Sequence, residues 1–162
     1  MVLFCMKLLK LCLIFGLVSC VSNKTSHRVY IDNVVIRTTA YTHSEDDHKK
    51  YGRKTAIGTE LIDGIIASDW SIFPVGTILR IDNKIYTVED FGSALVKPVD
   101  TVIPTVDVYT ISKYKMKEWG VRFFNNVEIV EFGCYQTSLN ILKNRLKYKH
   151  CRDMFNRIQE KL

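Results

Sequence analysis

From position 34 onward the chain is written in short runs in which apolar residues, many of them β-branched or aromatic, alternate with polar ones. Runs at 34–41, 64–68, 77–81, 84–90, 105–110 and 126–132 predict six strands, because a period of two puts one set of side chains on a buried face. In the last run Val127 and Ile129 alternate with Glu128 and Val130. Asp82-Asn83 separates the third run from the fourth, and both residue types tolerate the positive φ of a two-residue hairpin turn. A short helix is predicted over 113–119, capped by Ser112 and stopped by Gly120. Beyond 136 the period lengthens. Leu139, Leu142, Leu146, Met154 or Phe155, Ile158 and Leu162 approximate a 3.6-residue stripe, which predicts a helical extension packed on its own domain or on a partner.

The first 33 residues follow another grammar. Lys7 and Lys10 lead into an apolar run from Leu11 to Val18, followed by small and polar residues, as in a secretory signal peptide. That run is far shorter than the ~20 residues a membrane-spanning helix needs. Leu17-Val18-Ser19-Cys20 also resembles the lipobox of bacterial lipoproteins, in which the cysteine becomes the first mature residue and carries acyl chains. Two readings stand: a lipidated Cys20, or an ordinary secretory signal with a cysteine near its cleavage point. The boundaries that follow are a lipoprotein signal peptide at 1–19, a polar tether at 20–33, a strand-rich domain at 34–133 and a basic helical tail at 134–162.

A chain of 162 residues, 47% hydrophobic and 25% charged, holds one ordinary core and an appendage, which excludes a multidomain machine and a disordered chain. The net charge of +6 is concentrated late, where seven Lys and Arg oppose only Asp153 and Glu160 after position 134. The rest of the mature chain is near neutral, which argues against nucleic acid as a partner and leaves the tail as a solvated helix face or a contact for anionic lipid or wall polymer; what protein the tail would recruit is not legible. Of five cysteines, Cys5, Cys12 and Cys20 lie in the signal region, so only Cys134 and Cys151 can pair or stay free in the domain. No CxxC or other metal-ligand spacing occurs, and His43 and His48 beside Asp46 and Asp47 read as a solvated polar loop, so neither metal nor cofactor is expected.

No GxSxG, HExxH, phosphate-binding loop or dinucleotide fingerprint is present. Carboxylates remain. Asp69 in IIASDWSIFPVGT, Asp90 in YTVEDFGSA and Asp107 in PTVDVYT sit in or beside apolar strands, where burial either raises a carboxyl pKa or demands hydrogen bonds that lower it. Asp46, Asp47, Asp63, Asp82 and Asp100 lie in polar surroundings and read as solvated. Trp70 and Trp119 read as core aromatics rather than sugar platforms.

The blocks TAY (39–41), KTAIGTE (54–60), IIASDWSIFPVGT (65–77), VEDFGSAL (88–95), VDVYT (106–110) and EWGVRFFNNVEIVEFG (118–133) occur in the order of the three-aspartate (3D) domain. The resemblance spans 34–133 and is similar to the C-terminal part of membrane-bound lytic transglycosylase A, more distantly to expansins and rare lipoprotein A. It implies an all-β fold: a six-stranded double-psi β-barrel, here with a short helix and a C-terminal helical extension. It further implies a groove for cell-wall glycan. The family's aspartates fall on Asp69, Asp90 and Asp107, the last in the place of the transglycosylase's acid. Asp90 would be a like-charged neighbour and Asp69 an orienting partner. Tyr41, Thr55, Gly58, Gly92 and Ser93 would line the groove. Here Gly92-Ser93 replaces the usual Gly-Gly, and a longer stretch separates Asp90 from Asp107. The implied activity is cleavage of the β-1,4 bond of peptidoglycan glycan strands by one aspartic acid, without cofactor, in the cell envelope on a lipid anchor at Cys20. The rivals are a non-catalytic peptidoglycan-binding module and an envelope structural lipoprotein.

Overall fold

In a computed structural model, residues 31–44, 52–97 and 103–162 are described here, with backbone alone for 31–33. The signal segment, Cys20, most of the tether, His48, Asp46, Asp47 and Asp100 lie outside the described residues.

The period-two runs form β1 (Ile31–Tyr41), β2 (Ile65–Ser68), β3 (Ile78–Ile81), β4 (Lys84–Asp90), β5 (Thr105–Tyr109) and β6 (Arg122–Glu131). They close into a barrel in the order β1-β5-β2-β4-β3-β6, with β1·β5 and β2·β4 parallel and the other pairings antiparallel. This mixed, crossing connectivity is a closed six-stranded barrel, as the resemblance implies, and closure leaves no unpaired sheet edge among the described strands. Asp82 and Asn83, at φ 49° and 60°, turn β3 into β4 so that Ile81 pairs with Lys84. β6 starts earlier than its alternation, because its first residues, apart from Phe124, are exposed on a rim where pairing with β1 rather than burial holds them.

Inward-facing Ile36, Ile66, Leu79, Ile81, Val88, Val106, Val108, Val127 and Ile129 fill the barrel. A smaller apolar layer of Tyr41, Leu61, Ile65, Ala67, Leu95 and Tyr109 covers β1, β5 and β2 from outside. Helix α1 (Lys113–Trp119) is capped as its sequence requires: the Ser112 hydroxyl accepts from the Lys115 amide, and Gly120 ends it at φ 60°.

The tail is α2 (Tyr135–Leu142), a 3₁₀ turn (Lys143–Arg145) and α3 (Lys149–Gln159), not one continuous helix. It packs on its own barrel. Cys151, Met154 and Ile158 join the main core, and the Trp70 amide donates to Met154 Sδ at 3.3 Å. Full burial of each large apolar side chain there contributes about 1.5–3 kcal/mol. The break between the helices shifts the stripe, so Cys151 is buried while Leu162 is 72% exposed. Cys134 and Cys151 are both free thiols, the first exposed and the second buried. None of the described helices is long and apolar enough to cross a membrane.

Where β6 leaves the barrel, Gly133 lies against the turn before β3. A Cβ there would stand 2.3 Å from the Val75 carbonyl oxygen and 2.6 Å from that of Pro74, a backbone approach only glycine permits.

Candidate active site

The register of β2 brings the three aspartates together. Ala67 pairs with Asp107 of β5 on one side and with Asp90 of β4 on the other, and Asp69 follows Ala67 by two residues. With strands about 4.8 Å apart, the α-carbons of Asp90 and Asp107 lie roughly 10 Å from each other across Ala67. The neighbourhoods of the three carboxyls differ.

Asp69 is 2% exposed. Its Oδ1 accepts from the Ser71 amide (2.9 Å) and hydroxyl (2.6 Å), and its Oδ2 accepts from Arg157 of α3 at 2.9 Å. Its backbone carbonyl accepts from Ile72 and Phe73, so this aspartate closes the turn after β2 and ties the tail to it.

Asp90 is buried too. Oδ1 accepts from the amides of Ala56 (3.0 Å) and Phe91 (2.9 Å), and Oδ2 from the Tyr41 hydroxyl (3.1 Å). Beneath it, the Trp70 indole donates to the Asp90 carbonyl at 2.9 Å. The loop over Asp90 is fixed from both directions: Arg145 donates to the Ala56 carbonyl at 2.7 Å, and the Thr55 and Thr59 hydroxyls meet at 2.6 Å. The Thr59 hydroxyl also donates to Glu89.

Asp107 alone of the three is half-buried. It accepts a hydrogen bond of 2.7 Å from the Thr39 hydroxyl, its register partner on β1. Val106 and Val108 point into the barrel, which leaves Thr105, Asp107 and Tyr109 on the outer face of β5. A cavity of 350 Å³ touches Thr105 at one end of that face, together with Asp69, Leu95 and Arg157. A second, of 560 Å³, touches Tyr109 at the other end. Asp107 stands between them, and neither cavity includes it or Asp90.

Tyr41 links the two carboxylates electrostatically. Burial first, then the charge and hydrogen bond of Asp90, then the charge of Asp107, push its phenol above the ordinary tyrosine value. The resemblance implies that Tyr41 and Thr55 line the groove. Both are buried, with their hydroxyls engaged within the protein. Gly58 and Ser93 are exposed and Gly92 half-buried, on the loops flanking Asp90.

Sequence reasoning missed three partners. Thr39 lies in the TAY block, yet nothing local marks it as the donor to Asp107. His43, expected in solvent, is half-buried, with Nδ1 2.9 Å from the Tyr109 hydroxyl. Arg157 sits 88 residues from Asp69, and an arginine on a basic tail carries no signal of its target.

No protein-family profile matches the chain, and no curated protein matches it. Among solved structures it is similar to MltA from E. coli, at 20% sequence identity and a TM-score of 0.35. The match covers 49% of this chain and 28% of that one, so it spans little more than a quarter of the MltA chain.

Proposed function

We propose that the protein is an exported, Cys20-anchored cell-wall enzyme that cleaves the β-1,4 bond between N-acetylmuramic acid and N-acetylglucosamine as a lytic transglycosylase, with Asp107 as its single acid. The observation that carries this reading is the contrast among the three aspartates. Asp69 and Asp90 are buried, whereas Asp107, itself hydrogen-bonded by Thr39, is half-buried on an outer face between two cavities. Of the three carboxyls, that of Asp107 keeps the most surface for a saccharide to meet.

In this mechanism Asp107, protonated, donates to the glycosidic oxygen as the bond to the muramoyl anomeric carbon breaks. The resulting carboxylate takes the proton of the muramoyl C6 hydroxyl, which attacks the same carbon and closes a 1,6-anhydro ring. No water is consumed, and one group serves both steps, unlike the paired carboxylates of hydrolytic glycosidases. The Thr39 hydroxyl would orient the carboxylate, and Asp90 across Ala67 would oppose a second negative charge and help retain the proton.

The same contrast favours a second reading, a peptidoglycan-binding module without catalysis, because two of the three aspartates are occupied in holding loops. Incubating the protein with purified sacculi and analysing the soluble products by mass spectrometry separates them. Release of 1,6-anhydromuropeptides supports the enzyme; retention on sacculi without such products assigns the binder.

A further inference from the structure

The 560 Å³ cavity beyond Tyr109 is lined by six charged residues. Arg53, Lys84, Lys115 and Arg122 stand on its walls against two carboxylates, Asp63 and Glu118. Asp63 is already neutralised: Lys84 Nζ lies 2.8 and 2.7 Å from its two oxygens. Arg122 is held in place, its guanidinium 4.4 Å over the Trp119 ring and its Nε donating to the Trp119 carbonyl at 2.9 Å. Trp119 is in turn fixed by its indole, which donates to Thr38 at 3.1 Å. The cavity thus offers a preorganised cation beside an aromatic wall, and its volume falls in the roughly 300–1,000 Å³ range of small-molecule sites.

Its position gives this charge a use. Tyr109 walls the cavity and lies two residues from Asp107 on the same face of β5, about 7 Å along the strand. Accepting the glycan-cleaving reading above, we infer that this cavity is a substrate subsite that binds the carboxylate-bearing substituent of the glycan, next to the sugar presented to Asp107. Carboxylates are what a guanidinium and an ammonium pair with most specifically, and a neutral glycan would leave the excess of cations uncompensated. Two sources supply that chemistry: the lactyl carboxylate of muramic acid where no peptide is attached, and the carboxylates of the peptide where one is.

The test is direct binding by calorimetry and amide chemical shifts, with three probes: the N-acetylglucosaminyl-N-acetylmuramyl disaccharide carrying its peptide, the same disaccharide without peptide, and neutral chitobiose. The inference expects at least one carboxylated probe to bind more tightly than chitobiose, with shifts at Arg53, Lys115 and Arg122, and to weaken with salt as chitobiose does not. Arg53→Gln and Lys115→Gln, both at exposed positions, should each weaken the carboxylated probe about five-fold and leave chitobiose unchanged. Because the peptide is joined through the lactyl carboxyl, that carboxylate is free only in the peptide-free disaccharide: tighter binding of that probe assigns the lactyl group, and loss on peptide removal assigns the peptide. Binding that ignores the carboxylate, maps elsewhere or is unaffected by both variants overturns the inference, even if Asp107 proves catalytic. Conversely, carboxylate-selective binding by a protein that releases no anhydro products would leave the subsite standing and remove the enzyme.

Discussion

Arg157→Met tests whether one ion pair fastens the tail to the barrel. The substitution keeps an unbranched apolar stem and removes the guanidinium that reaches Asp69 Oδ2 at 2.9 Å and the Lys97 carbonyl at 2.8 Å. The Asp69 side chain is 2% exposed, so its charge would stay in a poorly solvated place with only Ser71 as donor, on the other oxygen. Breaking a fully buried pair from one side costs about 3–5 kcal/mol. The Arg157 side chain is 22% exposed, so solvent already screens the pair and can reach the abandoned carboxylate. We therefore expect about 2–3 kcal/mol, read as a lower urea midpoint with an unchanged slope and as a fall in Tm of roughly 6–10 °C. Asp69→Asn keeps an acceptor for Ser71 and removes the stranded charge, so the double variant should be more stable than the two single losses sum to, by about 1 kcal/mol or more. A loss under about 0.5 kcal/mol for Arg157→Met, or strict additivity in the double variant, would refute the argument that Asp69 anchors the tail through this pair.

Gly133→Ala should cost about 3 kcal/mol or more in urea titrations, since the new methyl meets backbone on three sides with no flexible side chain to yield; a near-neutral result would contradict the close approach of β6 to the Pro74–Thr77 turn. Because its pKa is raised in the fold, Tyr41 contributes stability that is complete below the ordinary tyrosine value of 10.0 and is lost as pH rises beyond it. Melts from pH 8 to 11 should therefore fall less steeply for Tyr41→Phe, and that variant should be about 1–2 kcal/mol less stable at neutral pH for want of a donor to Asp90. The His150 imidazole, packed against Phe91 and Tyr148, is depressed below 6.5 mainly by burial, with Asp153 opposing. Its contribution is present above 6.5 and is lost as pH falls, so Tm should drop between pH 7.5 and 5 in the native protein and drop less in His150→Gln.

The strands were legible because their signals are local, whereas their closure into a barrel came only with the family resemblance. The short β-rich runs, the Asp82-Asn83 turn and the Ser112 and Gly120 caps each follow from neighbouring residues. The meeting of the aspartates was legible only through the family resemblance, since register across β2 joins residues far apart in sequence. What the sequence could not say is which aspartate is accessible. Nothing local to Tyr41 shows that it is buried with its hydroxyl on Asp90, 49 positions away. The tail shows the same limit: its apolar stripe is real, but the break before Tyr148 rotates α3, so Cys151 rather than Leu146 is fully buried.

The division of labour among the three aspartates is tested most directly by the initial rate of anhydromuropeptide release, per folded molecule, for Asp107→Asn beside Asp69→Asn and Asp90→Asn. We expect Asp107→Asn to keep the native Tm and lose activity by about 10²–10⁴-fold, the usual contribution of a general acid, and the other two to lose stability first and activity only in proportion. An Asp107→Asn protein that still releases anhydro products at the native rate would contradict the account.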